Sequence, residues 1–83
     1  LFQNVPNPVS SHTEIGFFLP EDTKATLMLT NSMGQAVVTI TDMQYDRGFH
    51  SVNLERAQLA AGMYFYSLET KAKTLTKQLT IIQ

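Results

Sequence analysis

Cysteine is absent from this chain of 83 residues, and its absence excludes several kinds of chemistry. A disulfide framework, a thiolate metal site and a cysteine nucleophile all require the missing thiol. The absence does not indicate a compartment, because reduced proteins and exported proteins without disulfides both lack cysteine pairs. The chain does not begin with methionine either, so we expect a fragment or a processed product.

A large net charge and long apolar runs are also missing. Six basic and seven acidic side chains leave a net charge of −1, which is too small to attract nucleic acid or an anionic membrane. No apolar run approaches the roughly 20 residues of a membrane-spanning helix, and no signal peptide opens the sequence. We predict no nucleic-acid partner and no transmembrane segment, and we expect any export signal to lie upstream.

The sequence is rich instead in short stretches that alternate apolar and polar residues. A period of two, in stretches rich in β-branched and aromatic residues, indicates half-buried strands. Six such stretches and a short leading strand at residues 1–3 predict one all-β domain, an antiparallel β-sandwich of about seven strands. The residues expected on the inner faces are Ile15, Phe17, Leu19, Ala25, Leu27, Leu29, Ala36, Val38, Ile40, Val52, Leu54, Tyr64, Tyr66, Leu68, Leu75, Leu79 and Ile81.

Turn-forming residues separate the predicted strands. Pro6 and Pro8 lack an amide N–H and cannot lie in a central strand, so the segment around them is either a polar loop or the boundary of a terminal module. In "TNSMGQ", Asn31 can bond to the backbone of a turn, and Gly34 can adopt the left-handed conformation that closes a hairpin. Gly48 precedes the next strand and ends the turn before it.

The stretch "LAAGMY" is arranged like a tyrosine corner, in which a tyrosine early in a late strand bonds to the backbone just upstream. We predict that Tyr64 is buried and makes this bond. Gly62 then provides the bend, and Leu59 closes the end of the core. The alternative is a buried tyrosine without the bond.

Few side chains offer catalytic or metal-binding chemistry. His12 and Glu14 share a strand face and could supply two metal ligands, but nothing nominates a third, so a solvated strand end is favoured. His50 and Ser51 are adjacent on a strand and point to opposite faces, which excludes a local nucleophile–base pair. We predict no enzymatic activity, no metal and no cofactor.

Four apolar side chains fall on the strand faces opposite the predicted core. Such residues are either covered by loops or form an exposed patch of the kind that marks a partner site, and the sequence leaves both interpretations open. They are Phe18, Met28, Met63 and Phe65.

The C-terminal stretch is basic. Lys71, Lys73 and Lys77 follow one another without an acidic residue. They either protect an edge strand against aggregation or belong to a docking strand. Lys77 shares the parity of Leu75 and Leu79, so we expect either a β-bulge or a lysine stem that passes the rim of the core to reach solvent.

Five motifs in a fixed order resemble a known family. They are "NVPNPVS", "LTNSMGQAV", "GFHSVNL", "LAAGMYFYSLE" and "TKQLTII", and they span nearly the whole chain. The sequence resembles the type A C-terminal sorting domain of proteins exported by the type IX secretion system of Bacteroidetes. In that family the run of Pro6, Asn7 and Pro8 marks where the linker from the cargo enters the terminal domain.

The resemblance implies that residues 1–83 form a non-catalytic, immunoglobulin-like β-sandwich, with residues 1–11 as a leading strand and linker junction. It implies recognition in the periplasm by the outer-membrane secretion machinery. A sortase-type peptidase would then remove the domain and attach the upstream cargo to the cell surface. Val5 and Gln83 depart from the family pattern, which often has an aromatic and a basic residue there. The candidate translocon-recognition residues are Lys71, Lys73, Lys77, Leu79, Ile81 and Ile82.

A function from another class remains open on the sequence. The chain could be a non-catalytic, immunoglobulin-like spacer or a carbohydrate- or adhesion-binding module of a surface protein. A sorting signal must be terminal in its parent protein, whereas a spacer need not be. The position of the domain in the native reading frame therefore discriminates the two functions.

Overall fold

A computed structural model describes residues 1–83, and all the regular structure in it is β-strand. The all-β prediction is therefore confirmed, with six strands in two sheets instead of about seven. Residues 1–3 do not form a leading strand. The strands are β1 (His12–Leu19), β2 (Thr23–Asn31), β3 (Ala36–Tyr45), β4 (Gly48–Glu55), β5 (Gly62–Glu69) and β6 (Thr74–Ile81).

All neighbouring strands are antiparallel. The smaller sheet pairs β1 with β4, and the larger sheet has the order β3-β2-β5-β6. β1 and β2 are consecutive in the chain but lie in different sheets. Pro20 directly follows β1 and cannot donate a ladder hydrogen bond, which ends the strand before the chain crosses to the other sheet.

The inner faces of the two sheets share one hydrophobic core. Its 13 buried residues come from β1, β2, β4, β5 and β6, together with Val9 from the N-terminal segment. The alternation predicted for β1, β2 and β5 is confirmed, because every second residue there is buried. These residues are Ile15, Phe17, Leu19, Ala25, Leu27, Leu29, Tyr64, Tyr66 and Leu68.

The prediction for β3 is partly wrong. Ile40 is half-buried and packs against the core, but Ala36 and Val38, which were expected on the same inner face, are exposed. The register with β2 shifts twice, between Leu27 and Met28 and again after Leu29. A bulge adds a residue to one strand and changes the face of the residues beyond it. β3 is also an edge strand, so its inner face has less cover.

The prediction for β6 is partly wrong. Leu79 and Ile81 are buried, but Leu75 is 37% exposed at the end of the sheet. Lys77 pairs directly with Tyr66 in an unshifted register, so no bulge redirects it. The lysine stays exposed because β6 is the last strand of its sheet and the side chain can pass the rim to solvent.

The N-terminal segment, residues 1–11, joins the two sheets along one side of the core. Near its start, the Phe2 amide donates to the Gly16 carbonyl of β1 at 2.9 Å. Near its end, the Val9 amide donates to the Thr80 carbonyl of β6 at 2.8 Å, and the Ile82 amide donates back to Val9 at 2.9 Å. The segment therefore bonds to an edge of each sheet without becoming a regular strand of either.

The β2–β3 hairpin has the turn predicted from "TNSMGQ". The Asn31 side-chain oxygen accepts from the amides of Met33 and Gln35 at 2.9 and 3.0 Å. Gly34 has a φ of 84°, in the left-handed region that residues with a Cβ rarely adopt. The two residues therefore close the turn by the mechanism that the sequence indicated.

Candidate functional site

The lysines predicted to be recognised lie on and after the β5–β6 turn. The Thr70 amide donates to the Lys73 carbonyl at 3.0 Å, and the Thr70 hydroxyl accepts from the Ala72 amide at 3.2 Å. These bonds hold Lys71 and Lys73 at the tip of the turn, where both are exposed. The chain has one salt bridge, between Lys24 and Asp42, so neither lysine is neutralised by a carboxylate.

An apolar pocket lies beside this turn, at the end of the molecule where the β1–β2 connection meets the β5–β6 hairpin. Its cavity volume is about 50 Å³. Leu19 and Leu68 belong to the buried core and reach its wall, and the partly exposed Leu75 contributes from β6. Lys71 and Lys73 also line the pocket. We call it the hairpin pocket below.

The other recognition candidates lie in different surroundings. Leu79 and Ile81 are 0% and 2% exposed, so a partner cannot touch them while the domain is folded. Ile82 is 42% exposed. Lys77 is exposed but does not line the hairpin pocket. The sequence grouped these residues by their position in the chain, and the structure divides them between core and surface.

The free edge of β6 is covered along its second half. Gln3 donates from its side-chain amide to the Gln78 carbonyl at 2.8 Å. The Thr80 amide donates to the Asn7 side-chain oxygen at 3.3 Å, and its carbonyl is bonded to Val9. Backbone pairing with another strand is therefore blocked at this part of the edge.

Lys73 and Lys77 lie close to the start of the N-terminal segment. Both lysines lie within electrostatic range of Leu1. The β5–β6 turn, β6 and the start of the N-terminal segment are therefore neighbours in space.

Tyr66 anchors the N-terminal segment, which the sequence did not indicate. Its side chain is fully buried, and its hydroxyl accepts from the Asn4 amide at 3.0 Å and donates to the Phe2 carbonyl at 2.8 Å. Burial raises the pKa of this hydroxyl, and the Asn4 hydrogen bond opposes part of the shift. Alternation placed Tyr66 in the core, but alternation says nothing about what a buried hydroxyl bonds.

Asn4 and Thr13 complete this buried polar group. Asn4 is 1% exposed and donates from its side-chain amide to Thr13 Oγ1 and to the Pro6 carbonyl, both at 3.1 Å. The Thr13 hydroxyl also donates to the Pro6 carbonyl, at 2.9 Å. These bonds satisfy the polar groups that burial removes from water. An asparagine beside prolines resembles an ordinary loop, so the sequence offered no signal for its burial.

The bond expected of a tyrosine corner is present. Tyr64 is 7% exposed and its hydroxyl donates to the Ala60 carbonyl at 2.7 Å. Gly62 begins β5, and Leu59 is half-buried against the core. Tyr64 and Tyr66 therefore lie on the same face of β5, and their hydroxyls bond to two different backbone segments.

Arg56 joins this corner to the N-terminal segment and to Ile82 after β6, a role that no sequence pattern indicated. Its Nε donates to the Leu59 carbonyl at 3.1 Å. Its Nη1 donates to the carbonyls of Ser10 and Ile82. A guanidinium has several donors in a fixed plane and can bond to several carbonyls at once. Arg56 therefore holds the N-terminal segment and the end of the chain to the β4–β5 connection.

The histidines are not brought into a metal site or a catalytic pair. No group of three potential ligands forms. His50 packs on the rings of Phe17 and Tyr45, whereas the adjacent Ser51 donates to Glu14 at 3.1 Å. His50 and Ser51 thus point in different directions, as their adjacency on a strand requires. His12 Nδ1 lies 3.1 Å from Ser11 Oγ.

The apolar residues outside the core do not form one patch. Phe18 is 57% exposed on the outer face of the smaller sheet, opposite Phe49, which is 63% exposed. Phe2 lies beside them, with its ring centroid 5.8 Å from that of Phe49. The other three residues belong to strands of the larger sheet, where Met63 is 45% exposed. They are Met28, Met63 and Phe65.

These features define a small all-β domain whose surface carries a lysine-bearing hairpin and separate apolar patches. A family model described as the secretion system C-terminal sorting domain matches residues 5–83. The chain therefore belongs to the family of C-terminal sorting domains of the type IX secretion system. No curated protein and no solved structure matches it.

Membership has direct consequences. The family consists of secretion signals, so the chain is a signal read by type IX machinery and is associated with export to the cell surface or beyond. Domains of this family are typically non-catalytic. The chain contains no helix with the length and apolar character needed to cross a membrane.

Proposed function

We propose that this domain directs an attached cargo protein from the periplasm through the type IX outer-membrane translocon and is itself not an enzyme. The match of the sorting-domain family to residues 5–83 carries the proposal. After export, a sortase-type peptidase removes the domain and attaches the cargo to the cell surface. The partners are thus the secretion machinery, the peptidase and the cargo domain upstream.

We also propose that the fold is of the immunoglobulin-like class. Two antiparallel sheets around one core and the Tyr64 hydroxyl bond to Ala60 support this assignment. A tyrosine corner belongs to the features by which such domains are recognised. Residues 1–11 then serve as the linker junction, held to both sheets by the hydrogen bonds of Phe2 and Val9.

The geometry suits a signal that is read in the folded state. The core buries Leu79 and Ile81 of β6, so a partner can reach only the lysines and Ile82 among the candidates that the sequence nominated. The N-terminal segment is fixed by Tyr66 and Asn4, so the cargo junction leaves the domain at a defined place. A peptidase acting upstream would meet a junction in constant orientation to the hairpin.

A fusion experiment tests the proposal. The domain is placed at the C-terminus of a periplasm-targeted reporter in a type IX-competent strain and in a matched strain that lacks the translocon. Surface or extracellular reporter in the first strain alone is the expected result. Accumulation in the periplasm of both strains would contradict the proposal, provided that the fused domain is folded and protease-resistant.

The second candidate function is a surface-binding module, and one observation favours it. Phe2, Phe18 and Phe49 expose their rings on the outer face of the smaller sheet, and exposed apolar clusters often mark binding sites. Gly16 makes room for this cluster, because a Cβ there would lie 3.0 Å from the Phe49 ring. Binding of the purified domain, added from outside, to intact cells that lack the translocon would support this function over the first.

A further inference from the structure

We infer that the hairpin pocket is a socket for one short aliphatic side chain of an acidic protein segment in the secretion machinery. The inference rests on the proposed function and adds to it the location and the chemistry of the recognition site. The proposed recognition site is smaller than the basic stretch that the sequence indicated. It consists of Lys71, Lys73 and the cavity between the β1–β2 connection and the β5–β6 hairpin.

The size of the cavity decides what can enter. Its volume is about 50 Å³, whereas a cavity of about 150 Å³ holds a benzene ring. A branched aliphatic group of the size of a leucine or valine end therefore suits the pocket better than an aromatic ring does. The wall is formed in part by Leu19, Leu68 and Leu75, so burying such a group there removes apolar surface from water on both partners.

The charge around the pocket decides what should flank that side chain. Lys71 and Lys73 contribute two positive charges, and Glu21 on the same lining contributes one negative charge, which leaves a net charge of +1. Neither lysine forms a salt bridge within the domain, so a partner's carboxylate can pair with each of them without displacing an existing partner.

An anionic lipid has the same combination of charge and apolar surface, but it does not fit the dimensions. An acyl chain is much longer than the cavity, so most of it would remain in water. A peptide segment places one aliphatic side chain between carboxylates at a spacing of a few ångströms. We therefore assign a protein segment to the pocket, and binding to lipid vesicles becomes an outcome of the test.

The probes are three blocked pentapeptides and vesicles. The first peptide has the sequence Gly-Asp-Leu-Asp-Gly, the second replaces both aspartates by asparagine, and the third replaces the leucine by glycine. Titration into the ¹⁵N-labelled domain, followed by NMR, should shift the amides of Ala72, Leu75 and Phe18 with the first peptide. The other two peptides should bind about tenfold more weakly, since each loses one of the two interactions.

Three variants separate the pocket from the rest of the basic stretch. Ala72 lines the cavity and is exposed, so A72L should fill it and weaken binding of the first peptide about tenfold. The double variant K71Q/K73Q should weaken it by a similar factor. K77Q is the matched control, because it removes one charge of the same basic stretch from strand β6, outside the pocket. It should leave the titration unchanged within twofold.

The same variants are then compared in the reporter fusion. Export should fall at least fivefold for K71Q/K73Q and for A72L, and it should be unchanged for K77Q. The inference is overturned by equal binding of all three peptides, by shifts located elsewhere or absent, by normal export of A72L and K71Q/K73Q, or by preferential binding to phosphatidylglycerol vesicles. If the wild-type fusion is not exported but the peptide titration behaves as expected, the socket stands and the proposed function fails.

Discussion

Tyr66 and Tyr64 are two residues apart on one face of β5, but they hold different parts of the chain. Tyr64 bonds to Ala60 just upstream, as a local corner requires. Tyr66 bonds to Asn4 and Phe2, more than 60 positions away in sequence. The first bond could be expected from a motif of a few residues, whereas the second depends on where the N-terminal segment docks.

For these two single residues, we predict that Tyr66→Phe lowers the free energy of unfolding more than Tyr64→Phe does. Removing the Tyr66 hydroxyl leaves the buried Asn4 amide without an acceptor, at a cost of about 2 kcal/mol. Tyr64→Phe should cost about 1 kcal/mol, because it removes one hydrogen bond. Urea denaturation measures both free energies of unfolding.

Amide hydrogen exchange distinguishes the loss of the Tyr66 hydrogen bonds from the loss of the Tyr64 hydrogen bond. In Tyr66→Phe the amides of Asn4 and Val5 should exchange faster than those of β2, whereas Tyr64→Phe should not affect the N-terminal segment selectively. Equal costs for the two variants, with no selective exchange at Asn4, would contradict an anchoring role for Tyr66.

Tyr66 also predicts a loss of stability at high pH. Burial raises its pKa above the ordinary value of 10.0. A raised pKa in the folded state means that the neutral hydroxyl is favoured by folding. Its contribution is therefore complete below pH 10 and is lost as the pH rises through the folded pKa. Unfolding free energies at pH 8 and pH 11 should differ more for the wild type than for Tyr66→Phe, which serves as the control for all other titrating groups.

At the scale of single elements, the strands differ in how far local pattern determines them. β2 and β5 lie inside the larger sheet and have a neighbour on each side, so their alternation translates directly into burial. β3 and β6 have regular pairing on one side only. Their residues reach solvent at positions such as Val38 and Leu75 that alternation assigns to the core.

The β2–β3 turn allows a prediction about the stability of a single element. Gly34→Ala should lower the free energy of unfolding by about 1 kcal/mol, because an L-residue is strained at a φ of 84°. No atom would crowd the added Cβ, so the cost comes from the backbone alone. Met33→Ala is the matched control, since Met33 is 81% exposed in the same turn. A Gly34→Ala variant as stable as Met33→Ala in urea would argue against strain in this turn.

At the scale of the whole molecule, the N-terminal segment completes the core and covers an edge. Val9 is 1% exposed in the core, and residues 3–9 occupy the second half of the β6 edge. The opposite side of the molecule is closed less fully, where β3 and β4 each have regular pairing on one side only. The N-terminal segment thus closes the side of the molecule that carries β6.

Deletion of residues 1–9 tests this arrangement. The deletion removes Val9 from the core, which alone is worth about 2 kcal/mol, and it exposes the backbone of Thr80 and Ile82. We expect a loss of at least about 3 kcal/mol, a large share of the stability of a domain this small, and aggregation through the uncovered edge. Thermal denaturation and light scattering measure the two effects.

Val5→Ala is the control for the deletion. Val5 is 68% exposed and pairs with Glu14 through its backbone, so the substitution keeps the segment in place. It should leave the melting temperature nearly unchanged. A deletion variant that melts and remains monomeric like Val5→Ala would show that the segment is dispensable.

Local sequence pattern alone predicts the all-β class, the inner faces of β1, β2 and β5, and the turn at Asn31 and Gly34. These features depend on interactions within a few residues, where a period of two or a left-handed glycine leaves a clear pattern. The resemblance of its ordered motifs also identified the family, which the match over residues 5–83 confirms.

The covered edges and the buried polar residues, in contrast, depend on how distant segments pack together. Asn4, Arg56 and Tyr66 bond to segments far away in the chain, and no local pattern records such partners. The same reason explains why Lys77 and Leu75 are exposed, since exposure at a sheet edge depends on what packs against that edge. Burial is a property of the assembled sheets, whereas alternation is a property of one strand.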